Sequence, residues 1–182
     1  MEEANPDQKN LTGWMLVATP ALLDPHFRRT ILWLRQHSPA EGALGLVLNR
    51  PVGRTLGELA GVPALWESTQ IHYGGPVGVG EPLLLGLRWD EESGGADFRA
   101  FPSGFSEVPE VWQSDLRLFV GHAGWSPGQL EKEIEEKSWF VLPPQPLFFQ
   151  GPQTPDTWRT LLSSMSPGLK LLASAPDQPI WN

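Results

Sequence analysis

Gly124-Trp125-Ser126-Pro127-Gly128 has the Gly-x-Ser-x-Gly outline of a serine-hydrolase nucleophile turn. In such a turn the serine sits where a strand enters a helix, a histidine takes its proton, and the next residue's N–H helps hold the oxyanion. Here the next residue is Pro127, which has no N–H to offer. In that fold the base follows the serine along the chain, yet no histidine follows His122. A structural role fits every residue instead: Ser126 as N-cap, Pro127 at the first helical position, and Gln129 completing a capping box. The spacing predicts a helix start, and no catalytic residue is assigned. A small-molecule hydrolase using Ser126 or His122 is the competing expectation.

Other reactive groups are sparse. Cysteine is absent, which excludes disulfides, thiol catalysis and thiolate metal sites. The four histidines, His26, His37, His72 and His122, show no His-x-His or Glu-x-x-His spacing, so no metal site is expected. The glycine-rich run Gly-Gly-Pro-Val-Gly-Val-Gly-Glu-Pro lacks the Gly-Lys-Ser/Thr ending of a phosphate loop, and strand-like residues follow it. Tight turning, with close backbone approach at Gly74 and Gly75, explains it, and no cofactor is expected.

Net charge is −8, with a sequence pI near 4.9, which argues against non-specific nucleic-acid binding. Arg28, Arg29, Arg35, Arg50 and Arg54 nevertheless fall in a span whose sole acidic residue is Glu41, so an anion-attracting patch is one reading and separately solvated arginines the other. The polar, acidic N-terminus lacks the basic start and apolar run of a signal peptide, and a cytoplasmic location without a membrane is expected.

The elements that must position these residues are short. Strands are expected at Gly13–Ala18, Thr30–His37, Gly42–Asn49, Gln70–Val77, Pro82–Trp89, Leu116–Gly124 and around Ser138–Pro143, with a possible edge strand at Glu107–Gln113. Glu91–Phe98 reads as a polar turn. Thr55 and Glu58 form a capping box opening a short helix that Gly61 stops. Pro127–Lys137 is an amphipathic helix with Leu130 and Ile134 inward, Gln129 and Glu133 beside the apolar stripe, and Glu133 paired with Lys137. A second helix follows Thr154, with Trp158, Leu161, Leu162 and Met165 at helical spacing; Leu169–Asp177 fits either strand or helix. Most of the nine tryptophans should be core or groove-lining rings.

The blocks GWMLVATPALLDPHFRRTILWLRQHSPAEGALGLVLNRPVGRTLGEL, GGPV and GHAGWSPGQLEKEI…SWFVLP, in order over most of residues 13–142, resemble the YqgE/AlgH family. The resemblance implies an α+β fold: a bulged, largely antiparallel sheet folded on itself, half-barrel-like, with a few packed helices. A flexible terminus is expected over residues 1–12 and a single domain of this kind over 13–182. Family members are mostly uncharacterised, some carry a transcriptional-regulator label, and no catalytic residues carry over. His122 stands where the family pattern Gly-Tyr-Ala-Gly-Trp has tyrosine, so no role of that hydroxyl carries over either.

The functional expectation is a regulatory or adaptor protein rather than an enzyme, binding a protein partner or a small anion. Its groove would be built from Asn49 and Arg50 as donors, Gly74, Gly75 and Pro76 for close approach, His122, Trp125 as an apolar wall, and Gln129 with Glu133 overlooking it.

Overall fold

The computed structural model describes residues 10–150 and 153–175. The order of elements is β1 (Met15–Ala18), β2 (Ile31–Ser38), β3 (Gly42–Val47), β4 (Pro51–Thr55), β5 (Gln70–Tyr73), β6 (Leu83–Asp90), β7 (Gly95–Ala100), β8 (Leu116–Val120), β9 (Ala123–Trp125), α1 (Gln129–Glu135), β10 (Trp139–Leu142), α2 (Pro155–Met165) and α3 (Pro167–Ala173). They form two five-stranded sheets in the orders β10-β1-β2-β3-β9 and β4-β5-β8-β6-β7. All pairings are antiparallel except β5 with β8, so the class is α+β as expected, without a closed barrel.

The first sheet is buried on both faces, which is why β1 and the start of β2 read as unbroken apolar runs. One face carries Met15, Val17, Ile31, Trp33 and Leu46, and packs with Leu85, Leu87 and Phe119 of the second sheet and with Trp158 and Leu162 of α2. The Trp158 indole N–H donates to the Ala18 carbonyl at 2.7 Å, fixing α2 to β1. The opposite face carries Leu16, Leu32, Leu34 and Val47 and is covered by Leu130 and Ile134 of α1. A bulge between Leu34 and Gln36 supplies the expected irregularity. Of the eight tryptophans in the described residues, Trp33, Trp66, Trp112, Trp125, Trp139 and Trp158 are buried.

Several elements differ from the sequence expectation. Leu116–Gly124 is two strands in different sheets, because Gly121 takes a left-handed φ of 71° and turns the chain from β8 into β9. Glu107–Gln113 forms no edge strand: Phe105–Glu107 and Glu110–Trp112 are 3-10 turns, the second begun by Pro109, with the Trp112 ring buried. The Thr55 segment closes as one 3-10 turn, Leu56–Glu58, in which the Thr55 N–H donates to Glu58 Oε1 at 3.0 Å. Strand β5 stops at Tyr73, short of the Val77 limit, and the polar turn ends early because β7 begins at Gly95. Residues 167–173 are helical, and Asp177 lies outside the described residues. So do residues 1–9 of the terminal segment, whereas Leu11 and Thr12 are hydrogen-bonded to His37 of β2.

Candidate functional site

The three segments singled out by sequence meet where the two sheets join. The Val47 N–H donates to the Gly74 carbonyl at 2.9 Å, the Gly74 N–H to Val120 O at 2.8 Å, and the Tyr73 N–H to Arg50 O at 2.8 Å. Val77 and His122 exchange both backbone hydrogen bonds, at 3.0 and 2.8 Å. The crossing is so close that a Cβ on Gly74 would run into the Gly121 carbonyl, and one on Gly75 into the His122 backbone. Close backbone approach is therefore the physical reason for that glycine pair. Pro76 is half-buried there, while Val77 and Val79 lie 46% and 54% exposed beside His122 and Gly121.

Trp125, Gln129 and Glu133 form a second, adjoining cluster. Glu133 Oε2 accepts the indole N–H of Trp125 at 2.9 Å and that of Trp139 at 2.8 Å. Its Oε1 accepts from Gln129 Nε2 at 2.9 Å. One carboxylate thus satisfies two buried indoles, each of which carries a donor that burial would otherwise leave unpaired. The expected Glu133–Lys137 pair is absent: α1 ends at Glu135, and Lys137, with φ of 63°, has left the helical face. Phe27 packs against both indole rings, with centroids 6.2 Å from Trp125 and 5.8 Å from Trp139.

The donors proposed for an anion are engaged elsewhere. The Arg50 guanidinium donates to the carbonyls of His26 at 2.7 Å, Pro25 at 3.1 Å and Arg28 at 2.9 Å. Burial, the largest influence, lowers its pKa, and the facing Arg28 charge adds to this. Asn49 accepts from the Ile31 N–H at 2.8 Å and donates to Arg29 O at 2.9 Å. Both residues therefore shape the loop between β1 and β2, and that loop carries Phe27 onto the tryptophans. The arginine group splits: Arg28, Arg29 and Arg50 share a concavity of about 190 Å³ with Arg159, whereas Arg35 lies over the Phe98 ring and Arg54 pairs with Glu58.

Ser126 is exposed, and no histidine nitrogen is hydrogen-bonded to its hydroxyl. The expected capping box is half formed. The Ser126 N–H donates to Gln129 Oε1 at 3.1 Å, and the Gln129 N–H reaches the Ser126 carbonyl rather than its hydroxyl. The helix consequently begins at Gln129, two residues later than expected, after Gly128 in a left-handed conformation. Among the other histidines, His37 is satisfied in the core: Nδ1 accepts from the Leu11 N–H at 3.0 Å, which makes Nε2 the donor to Glu131 at 2.8 Å. His26 Nδ1 lies 3.1 Å from the Tyr73 hydroxyl. Among the described residues no three His, Asp or Glu side chains cluster as metal ligands, and no helix is long and apolar enough to cross a membrane.

Sequence reading missed a concavity of about 430 Å³ that includes none of the predicted residues. Its polar wall contains His72 of β5, Arg117 of β8 and Gln153, which precedes α2. One signal was available: Arg117 interrupts the otherwise apolar run Leu-Arg-Leu-Phe-Val, and a charge inside a buried strand demands a partner.

This fold recurs in known proteins. The family described as AlgH-like (DUF179) matches residues 15–170. The chain belongs to that family. An AlgH-like relative, UPF0301 protein SCO2948 of Streptomyces coelicolor, is 36% identical over 195 aligned positions, covering 95% of this chain and 96% of that protein. A UPF0301 protein of Thermobifida fusca is 35% identical and covers 99% of this chain and 100% of its own. Among solved structures, DIP2367 of Corynebacterium diphtheriae superposes with a TM-score of 0.70 at 25% identity, covering 96% of this chain and 95% of its own. The AlgH protein of Pseudomonas aeruginosa gives 0.66 at 26% identity, covering 97% and 98%. These names state no reaction, substrate or partner, so the family supplies the fold and not the task.

Proposed function

We propose that this AlgH-like chain is a cytoplasmic, non-enzymatic regulatory or adaptor protein that binds a protein partner at the junction of its two sheets. The observation that carries this reading is the exposure of Val77 and Val79 on a segment locked to Gly121 and His122. Val77 is fixed by two backbone hydrogen bonds to His122, and an apolar side chain held out in this way is pre-organised for docking, which lowers the ordering cost of association. Pro76 and His122 lie at the same crossing, and Trp125, Gln129 and Glu133 hold the adjoining α1–β9 corner in place. A protein partner is favoured over a small anion here because Asn49 and Arg50 already donate to the chain's own carbonyls. No geometric feature favours the hydrolase reading: Ser126 lacks a histidine partner, and Pro127 removes an oxyanion donor.

The test is retention of partners from the native cell on the wild-type chain and on a Val77→Asp/Val79→Asp variant with an unchanged melting curve. A partner retained by the first and lost by the second is the expected result. An identical retained set on both would refute the docking surface.

A further inference from the structure

The cavity between β5, β8 and the segment leading into α2 gathers most of the unpartnered buried polar atoms of the described residues. Five buried side-chain polar atoms lack a hydrogen-bond partner among the described residues, and three of them belong to residues lining this cavity: His72 Nδ1, Arg117 Nη1 and Gln153 Oε1. Their side chains are among the most enclosed polar groups in the chain, at 4%, 8% and 3% exposure. The other two, the Trp33 and Trp89 indoles, are neutral donors that do not line it.

The parallel register of β5 and β8 sets Ile71 against Leu118 and His72 against Phe119, which places His72 and Arg117 on one face. Arg117 uses Nη2 on the Phe149 carbonyl at 3.0 Å, and Gln153 uses its amide nitrogen on Leu147 O at 2.7 Å. Each therefore keeps one polar atom in hand. Arg117 forms no ion pair among the described residues; burial lowers its pKa to about 10 while Asp115, in the same wall, opposes that fall. It remains cationic at neutral pH. His72 is pushed down to about 4, first by burial and then by the Arg117 charge, so its ring is neutral. Ordered water could satisfy an amide oxygen and an imidazole, but it does not neutralise an enclosed guanidinium. Ser68, Thr69 and Gln113 give the mouth a hydroxyl and amide lining, and the volume of about 430 Å³ falls in the range of small-molecule sites.

We propose that this cavity binds a small carboxylate that also carries a hydrogen-bond donor, as hydroxy acids and amino acids do. The Arg117 guanidinium holds the carboxylate and the Gln153 amide oxygen accepts the ligand's O–H or N–H, each after a small side-chain rotation, because their free atoms are covered in the unliganded chain. His72 Nδ1 makes the third contact, donating or accepting according to its tautomer. Asp115 in the wall disfavours a second negative charge and favours the amino over the hydroxy form. The site shares no residue with the junction described above and stands or falls separately from it.

The experiment is an NMR titration of the labelled full-length chain with glycolate, glycine, acetate and the neutral glycolamide. Arg117→Met and Gln153→Leu serve as variants, each checked by its melting curve. Replacing a buried charge by an apolar side chain of similar length is compatible with the fold. Glycolate or glycine should move the amides of Thr69, Gln70 and Arg117 saturably, with acetate about tenfold weaker for lack of a donor. Glycolamide should not saturate. Arg117→Met should remove the response, and Gln153→Leu should erase the advantage over acetate. Glycolamide binding as well as glycolate, or an unchanged response in both variants, would overturn the carboxylate assignment. No movement of those amides with any probe would show that the cavity holds water only, and the proposal would fail.

Discussion

Removing the Glu133 carboxylate tests whether α1 is fastened through the two indoles. In Glu133→Ala the N–H groups of Trp125 and Trp139 lose an acceptor now at 2.9 and 2.8 Å, while their rings stay 6% and 4% exposed. Leaving a buried donor unpaired costs about 1–3 kcal/mol. Because Glu133 is only half-buried, water reaches part of the site and the lower end of that range applies to each indole. The sum is about 2–4 kcal/mol, or a fall in Tm of roughly 5–15 °C for a chain of this size. Glu133→Gln keeps an acceptor but loses the charge, and should cost about 1 kcal/mol. Denaturant unfolding gives the free energies, and solvent exchange of the two indole protons reports the site itself. Stability of Glu133→Ala within about 0.5 kcal/mol of wild type, with both indole protons still protected, would refute the reasoning.

Arg50→Ala frees the carbonyls of Pro25, His26 and Arg28 and should cost about 1–3 kcal/mol, with faster amide exchange over residues 24–30. Unaltered exchange there would show that the loop holds its shape without the clasp. His72 links stability to pH: its ring titrates at about 4 when folded against 6.5 when free, so between those values the unfolded chain binds more protons. That contribution is complete above about pH 6.5 and is lost as pH falls toward 4, on the order of 3 kcal/mol, and His72→Gln should flatten the slope. Gly74→Ala drives a methyl group into the Gly121 carbonyl and should cost more than about 3 kcal/mol or abolish folding, as read by circular dichroism and soluble yield.

Patterns governed by neighbours in the chain were legible in the sequence. The apolar runs of β1, β2, β3 and β6 announce buried strands, and Trp158, Leu161 and Leu162 announce the inner face of α2. What depends on tertiary partners was not. Leu116–Gly124 reads as one strand because nothing local distinguishes Gly121 from any other glycine, yet the turn there separates two sheets. The Glu133–Lys137 spacing promised an ordinary helical pair, but α1 ends at Glu135, and Glu133 instead accepts from two indoles on β9 and β10. Of the predicted groove, only the close backbone approach at Gly74 and Gly75 was legible. That Arg50 would be turned inward by the carbonyls of a loop 22–25 residues away was not. His72, Arg117 and Gln153 lie far apart in the chain and come together only through the parallel pairing of β5 with β8 and the return of the segment before α2.

The non-enzymatic part of the functional reading requires that Ser126 does no covalent chemistry. Intact-protein mass spectrometry after treatment with a fluorophosphonate probe tests it directly. The folded chain should keep its unmodified mass, and Ser126→Ala should behave identically. A stoichiometric adduct on the Ser126 hydroxyl, absent from Ser126→Ala and from the denatured chain, would contradict the account.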